Sequence, residues 1–391
     1  MKAKPLKFHK QSSNQVFSDI LAILATSAAV DKEDLMVLNP SRPYVCNVIK
    51  DMMDKDLICG YRNQPKLLRL TKHGEEYLRH NDNDLYKFYM GISNNGSPGR
   101  TERHKELMKR LAGVHLCMLL AGIDIGNEKP SVMDVEQTGQ YMKIEEHPAF
   151  YSSKEIRYHT QQQKSRAHLS RASGFLFSRG VTALVYNAMD ASMKISLPVE
   201  NETAISARVL AGSLYEQYLS QGTSISDLII MCRNDEAMLK IMEDGLNEEN
   251  TKTTTRMIGA VINNFGLTQK AIRYIPITED GILTLQMISS YSRREIRNLF
   301  FTAEEQAQAP EEYNADGIIS GKLCYELLSS NMTKLAYIKR TFPDLKWKGG
   351  DIGILCWEGQ VDFITKYFGS TDIHLRRFPR DYIETLIQGG R

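Results

Sequence analysis

Between Phe17 and His80 the apolar positions change period several times, and each change marks an element. Phe17, Ile20, Leu21 and Leu24 follow i, i+3, i+4, i+7 spacing, which predicts a half-buried helix. Asp31 is placed to cap a short second helix over Lys32 to Leu38, which Asn39-Pro40 must end. Ser41 is placed to cap a third helix, with Pro43 tolerated in its first turn. Val45, Val48, Ile49 and Met52 form its inner stripe, so Tyr44, Asn47 and Lys50 fall on the outer side. Leu57 to Tyr61 and Leu67 to Leu70 read as short strands around the polar turn Arg62 to Lys66. Thr71 caps a last helix through Tyr77 and Leu78.

Three helices, a hairpin and a helix follow the order of a winged helix-turn-helix. The phrase Leu70-Thr71-Lys72-His73-Gly74-Glu75-Glu76-Tyr77-Leu78 resembles the strand-to-helix exit of many such domains. In that fold the N-terminal half of the third helix enters the major groove. The expected base and phosphate contacts there are Arg42, Tyr44, Asn47 and Lys50, while Asp51, Asp54 and Asp56 keep the later turns away from phosphates. Arg62, Lys66 and Arg69 put charge on the wing. The plainer reading is a protein-protein module on which these side chains form a solvated face.

Ser93-Asn94-Asn95-Gly96-Ser97-Pro98-Gly99 is dense in turn formers and predicts a linker. The expected division is a winged-helix domain over 1–92, an α/β domain over 100–300 and a smaller α/β repeat over 301–391. Thr101 caps a helix that is basic at first and then apolar to Ala121, ended by Gly122. Ser131 to Glu145 shows no pattern. Phe150 to Arg179 carries Lys154, Arg157, Lys164, Arg166, Arg171 and Arg179 against Glu155, with Tyr151, Tyr158, His159 and His168 interleaved. Such a mixture suits a phosphate backbone with stacked bases, or more plainly a solvated strand edge with a polar loop.

A repeat follows. Strands over 172–177 and 181–187, a helix over 204–219, a strand over 227–232, a helix over 236–242 and a strand over 273–277 make the first copy. Strands over 315–320 and 323–328, a helix over 333–342, a strand over 351–356, a helix over 361–368 and a strand over 373–377 make the second. The whole is therefore expected to be α/β (α+β).

Composition changes this picture in one respect. Net charge is +2, but residues 1–110 hold 19 Lys+Arg against 13 Asp+Glu, and the remainder 30 against 34, so the basic balance coincides with the N-terminal unit. No apolar run approaches the ~20 residues of a membrane span, and the start has no hydrophobic export segment. The six cysteines form no CxxC and no close pair, as expected of reduced thiols in a cytoplasm.

The strand pairs carry the candidate chemistry. The first reads Ala172-Ser173-Gly174 and Tyr186-Asn187-Ala188; the second reads Ala315-Asp316-Gly317 and Tyr325-Glu326-Leu327. With the winged-helix order, these resemble the replication-relaxation family of Gram-positive plasmids and conjugative elements. That family joins a winged helix to a restriction-endonuclease-like module, whose strand pair reads roughly Pro-Asp-Gly and Glu-Val-Asp. The first copy departs from it at both carboxylate positions. The second keeps Asp316 and Glu326 but has no lysine two residues later. No P-loop or His-based metal spacing occurs.

The resemblance implies a cytoplasmic, sequence-specific DNA-binding protein of a mobile element, acting in replication, mobilisation or its transcriptional control. Its degenerate nuclease-like repeats would be a scaffold, with no catalytic residue, no metal and no cofactor. The expected partner is double-stranded DNA, with other proteins of a replication or mobilisation complex or a second copy of the chain as further partners, and no membrane. The alternatives are a metal-dependent nuclease or relaxase using Asp316, Glu326 or a Tyr, and a transcription regulator sensing a ligand or partner.

Overall fold

The computed structural model describes residues 13–92, 101–126, 128–133, 148–160, 170–189, 193–215, 227–246, 255–264, 271–342, 352–369 and 373–389. Helix α1 (Ser13–Ser27) buries Val16, Ile20, Ile23 and Leu24 completely. Strand β1 (Val30–Asp31) and a 3-10 turn (Asp34–Leu38) lead into α2 (Arg42–Asp54), β2 (Ile58–Tyr61), β3 (Gln64–Leu70) and α3 (Lys72–Asn81). The three strands form an antiparallel sheet in the order β1-β3-β2. Phe17 of α1 meets Tyr77 of α3 edge-on at 5.7 Å, and Thr71 Oγ1 accepts the Gly74 N–H at 3.0 Å as the expected cap.

Three local expectations are corrected here. The second helix is a single 3-10 turn, with Asp31 Oδ1 accepting the Glu33 N–H just ahead of it. Ser41 makes no side-chain cap; instead Asn39 Oδ1 accepts the Ser41 N–H at 2.9 Å, and Pro43 removes one of the donors a cap would serve. The hairpin turn shrinks to Arg62-Asn63, because pairing continues to Tyr61 and Gln64 and draws Pro65 and Lys66 into β3. Pro65 is tolerated there because β1 pairs only from Leu67 onward.

Next come α4 (Asn83–Tyr86), a π-helical turn (Lys87–Ile92) and α5 (Glu102–Leu120). The expected linker, Ser93 to Gly99, lies outside the described residues. Helix α5 packs back on α1: His115 Nδ1 sits 2.9 Å from Thr26 Oγ1 and 2.8 Å from Ser27 Oγ, and Phe150 meets the imidazole edge-on. Burial, with the charges of Lys129 and Lys154 adding to it, pushes the pKa of His115 from 6.5 down to about 3, so the folded ring is neutral. The unfolded chain takes up that proton near pH 6.5. The stability from this residue is therefore complete above that pH and is lost as pH falls toward 3, by about 1.4 kcal/mol per pH unit. His115→Gln should flatten the dependence between about pH 6 and 4 in urea unfolding. An unchanged slope would mean that this ring is not held neutral.

The first large unit comprises β4 (Ala149–Ser152), α6 (Ser153–Thr160), β5 (Gly174–Phe177), β6 (Thr182–Met189), β7 (Lys194–Ser196), α7 (Leu197–Leu214), β8 (Asp227–Cys232), α8 (Asp235–Leu246), β9 (Thr255–Met257), α9 (Ile258–Asn264) and β10 (Ile272–Pro276). Helices α10 (Glu279–Ser290), α11 (Arg293–Phe300) and α12 (Ala303–Ala307) lead to the second. This contains β11 (Gly317–Ile319), β12 (Lys322–Glu326), α13 (Met332–Thr341), β13 (Ile352–Trp357), α14 (Val361–Phe368), β14 (His374–Phe378) and α15 (Arg380–Gly389). The chain is an α/β protein. Helix α7 starts at Leu197 rather than Ala204, because Leu197-Pro198 already supplies a first turn, and it ends at Leu214.

The two large sheets share one plan. The first runs β10-β8-β6-β5-β4 and the second β14-β13-β12-β11. In each, an antiparallel pair (β5 with β6, β11 with β12) continues into two parallel strands (β8 and β10, β13 and β14). Strands β6, β8 and β13 are nearly continuous apolar runs because both faces are covered. Ser320 and Gly321, with φ of 53° and 77°, make the two-residue turn that closes β11 onto β12. The edge of β10 is covered by the loop after β12: Tyr274 N–H bonds Ser330 O, and Arg273 reaches both Asp227 and Ser329 O.

Candidate nucleic-acid interface

Helix α2 turns Val45, Val48, Ile49 and Met52 inward, which fixes what remains outside. Arg42, Asn47 and Lys50 are exposed, and so are Arg62 and Lys66 on the hairpin. Two of the expected contacts are constrained. Tyr44 is half-buried against the core, and Arg69 is half-buried with its guanidinium 5.5 Å from the centre of the Tyr61 ring. Arg42 pairs with Glu33 at 2.5 Å across an exposed surface, a pair that a phosphate can replace at small cost. Asp51 is held by Lys55 at 2.8 Å one turn on.

The tyrosines and histidines between Phe150 and Arg179 do not form a stacking platform among the described residues. Tyr151 lies buried on β4 and donates to Pro130 O, and burial raises its pKa well above the usual phenol range. Tyr158 packs edge-on against Phe88. Lys164, Arg166 and His168 lie outside the described residues.

The strand pairs superimpose residue for residue in their hydrogen bonding. Ser173 N–H donates to Val185 O at 2.7 Å, and Asp316 N–H donates to Cys324 O at 2.9 Å. Two residues further along β6 and β12 come Asn187 and Glu326. Ser173 therefore stands where the second unit has Asp316, and Asn187 where it has Glu326. Each is followed or preceded by a matching neighbour: Gly174 and Gly317, Tyr186 and Tyr325. A Cβ on Gly174 would collide with Tyr151 O and Phe150, and one on Gly317 with Phe301, which is why both are glycine.

In the second unit a lysine does meet the two carboxylates, from a direction the strand motif does not search. Lys334 lies on α13, eight residues beyond Glu326, on the buried face with Leu335 and Ile338. Its ammonium is 2.6 Å from Asp316 Oδ2, 3.5 Å from Glu326 Oε2 and 2.8 Å from Glu326 O. Asp316 Oδ2 also accepts the Glu326 N–H, and both oxygens of Glu326 accept from Ser329. The three residues are buried, at 5 % or less of their exposed area. A charged residue inside an otherwise apolar helix face is the one sequence signal that would have singled out Lys334. Among the described residues no three of His, Cys, Asp or Glu gather as a metal site, and no helix is long and apolar enough to cross a membrane.

Fold and site together define an α/β protein with Arg42, Asn47 and Lys50 exposed on one N-terminal helix and two large sheets built on a like plan. Comparison with known protein families, with characterised proteins and with solved structures finds no match to this chain.

Proposed function

We propose that the chain is a DNA-binding protein whose residues 13–92 act as a winged helix, with the two large units as a duplicated, non-cutting scaffold. The likeness of the strand pairs to the replication-relaxation family supports a role on mobile-element DNA at an origin or promoter. One observation carries the reading: α2 leaves Arg42, Asn47 and Lys50 exposed beside a hairpin that presents Arg62 and Lys66. Asn47→Ala, at a base-reading position, should relax sequence preference at about 1–3 kcal/mol. Lys50→Ala, on phosphate, should weaken all sequences alike and lower the salt slope by about one. Gel shifts unchanged by both substitutions would remove α2 from the interface.

The meeting of Asp316, Glu326 and Lys334 favours a second reading, a metal-dependent phosphodiesterase at that place. The residues as they stand do not fit a metal. The lysine ammonium fills the position between the carboxylates, and both oxygens of Glu326 are already bonded within the chain. Supercoiled plasmid with Mg²⁺ or Mn²⁺ should therefore stay intact. Nicking that disappears in Asp316→Ala would make this second reading the right one.

A further inference from the structure

The ends of β5 and β6 open into a cleft of about 730 Å³ between α1, α5, α6 and β7. Arg110, Lys154, Arg157, Arg171 and Lys194 line it with His104, and no Asp or Glu is among the described residues of its wall. The acids behind the wall are engaged. Glu200 accepts from Ser170 Oγ, the Arg171 N–H and Tyr186 OH, and Glu106 lies 3.6 Å from Arg110 Nε. Burial, with the neighbouring Arg157 charge adding to it, pushes the pKa of Lys154 down to about 8. At the back of the cleft stand Ser173 and Asn187, where the second unit has its two carboxylates. Neutral Ser173 and Asn187 leave the back of this cleft without the carboxylates that the second unit has there. No Phe, Tyr or Trp is among the described residues of the wall, which favours backbone contact over base stacking. The matching place in the second unit is also a cationic cleft, with Arg293, Arg294 and Arg297 beside Asp316.

We infer that the cleft at Ser173 and Asn187 holds the sugar–phosphate backbone of DNA, as a second, sequence-independent contact beyond the N-terminal unit. It rests on the DNA reading above. Ser27, the last residue of α1, and Ala28 form part of the same wall, so the cleft borders the N-terminal unit. The contact supplies affinity without specificity, through release of counterions.

The test uses the full chain and a mixed-sequence duplex of about 30 base pairs, since this term is sequence-independent. Arg171 and Lys194 are exposed, so Arg171→Gln with Lys194→Gln leaves the packing alone. That double variant should lower the slope of log affinity against log salt by about two. Arg376→Gln with Arg377→Gln, exposed on β14, should leave it unchanged and so exclude a general effect of net charge. A slope unaltered in the Arg171/Lys194 variant overturns the inference, as does an equal fall in the β14 variant. A fall there with no effect of Lys50→Ala keeps the cleft and rejects the N-terminal unit as the reader. If the unmodified chain binds no duplex, both fall together.

Discussion

Lys334→Met should destabilise the folded chain by about 3–5 kcal/mol, the usual cost of removing one partner from a buried ion pair. The lysine is 1 % exposed and answers two carboxylates that are themselves buried, so its loss leaves like charges facing each other with no water to screen them. Desolvation and mutual repulsion then both disfavour the ionised pair. The sign of the pH dependence follows. Acid relieves that repulsion, so the variant's deficit should be largest at neutral pH and shrink as pH falls. Asp316→Asn with Glu326→Gln and Lys334→Met removes every charge at similar volume, and should recover most of the loss. The urea midpoint reads the outcome, provided the slope is unchanged. A Lys334→Met chain as stable as the parent at pH 7 would mean that the trio is not a structural pin, and would return attention to Asp316 and Glu326 as metal ligands.

Separating the N-terminal unit from the rest should weaken DNA binding by at least ~10²-fold. A single winged helix meets few phosphates, and linkage to a second contact or a second copy raises affinity through effective concentration. Where the chain is cut matters. The turn formers of Ser93 to Gly99 make that stretch the expected protease site, yet a fragment ending at 92 loses α5, which covers α1 and brings His115 to Thr26 and Ser27. The fragment to residue 126 keeps that cover. It should fold with a cooperative urea transition, whereas the shorter one should expose the α1 face and bind poorly for that reason alone. Equal affinity of the longer fragment and the full chain would show that the large units neither touch DNA nor pair the protein on it.

Much of the architecture was legible because periodicity is a local signal. The apolar comb of α1, the inner stripe of α2 and the buried runs of β8 and β13 each announce the face they bury, since side-chain spacing and backbone period must agree for burial to occur. The same holds for the paired phrases around Ser173 and Asp316, whose glycines each meet a close neighbour, though a different one in each unit. Short elements were less legible. Strands β7 and β9 are three residues each and pair only with one another, so no run of spacing marks them, and β4 hides its Tyr151 in a stretch that reads as basic and polar.

What the sequence determined by itself was the longer elements of the N-terminal unit and of the two strand-and-helix series, their order, and the charges on the outer face of α2. What tertiary structure decided was which distant residues share a site. Lys334 is eight positions from Glu326 and eighteen from Asp316, and only the packing of α13 onto the ends of β11 and β12 brings its ammonium between them. The cations of the first cleft come from α5, α6, the approach to β5 and β7, segments spread over more than eighty positions whose charges look scattered along the chain. Periodicity reports which side of an element faces inward. It carries no information about which elements lie side by side, because that depends on long-range burial and strand pairing, and a site assembled from several elements exists only once those are in place.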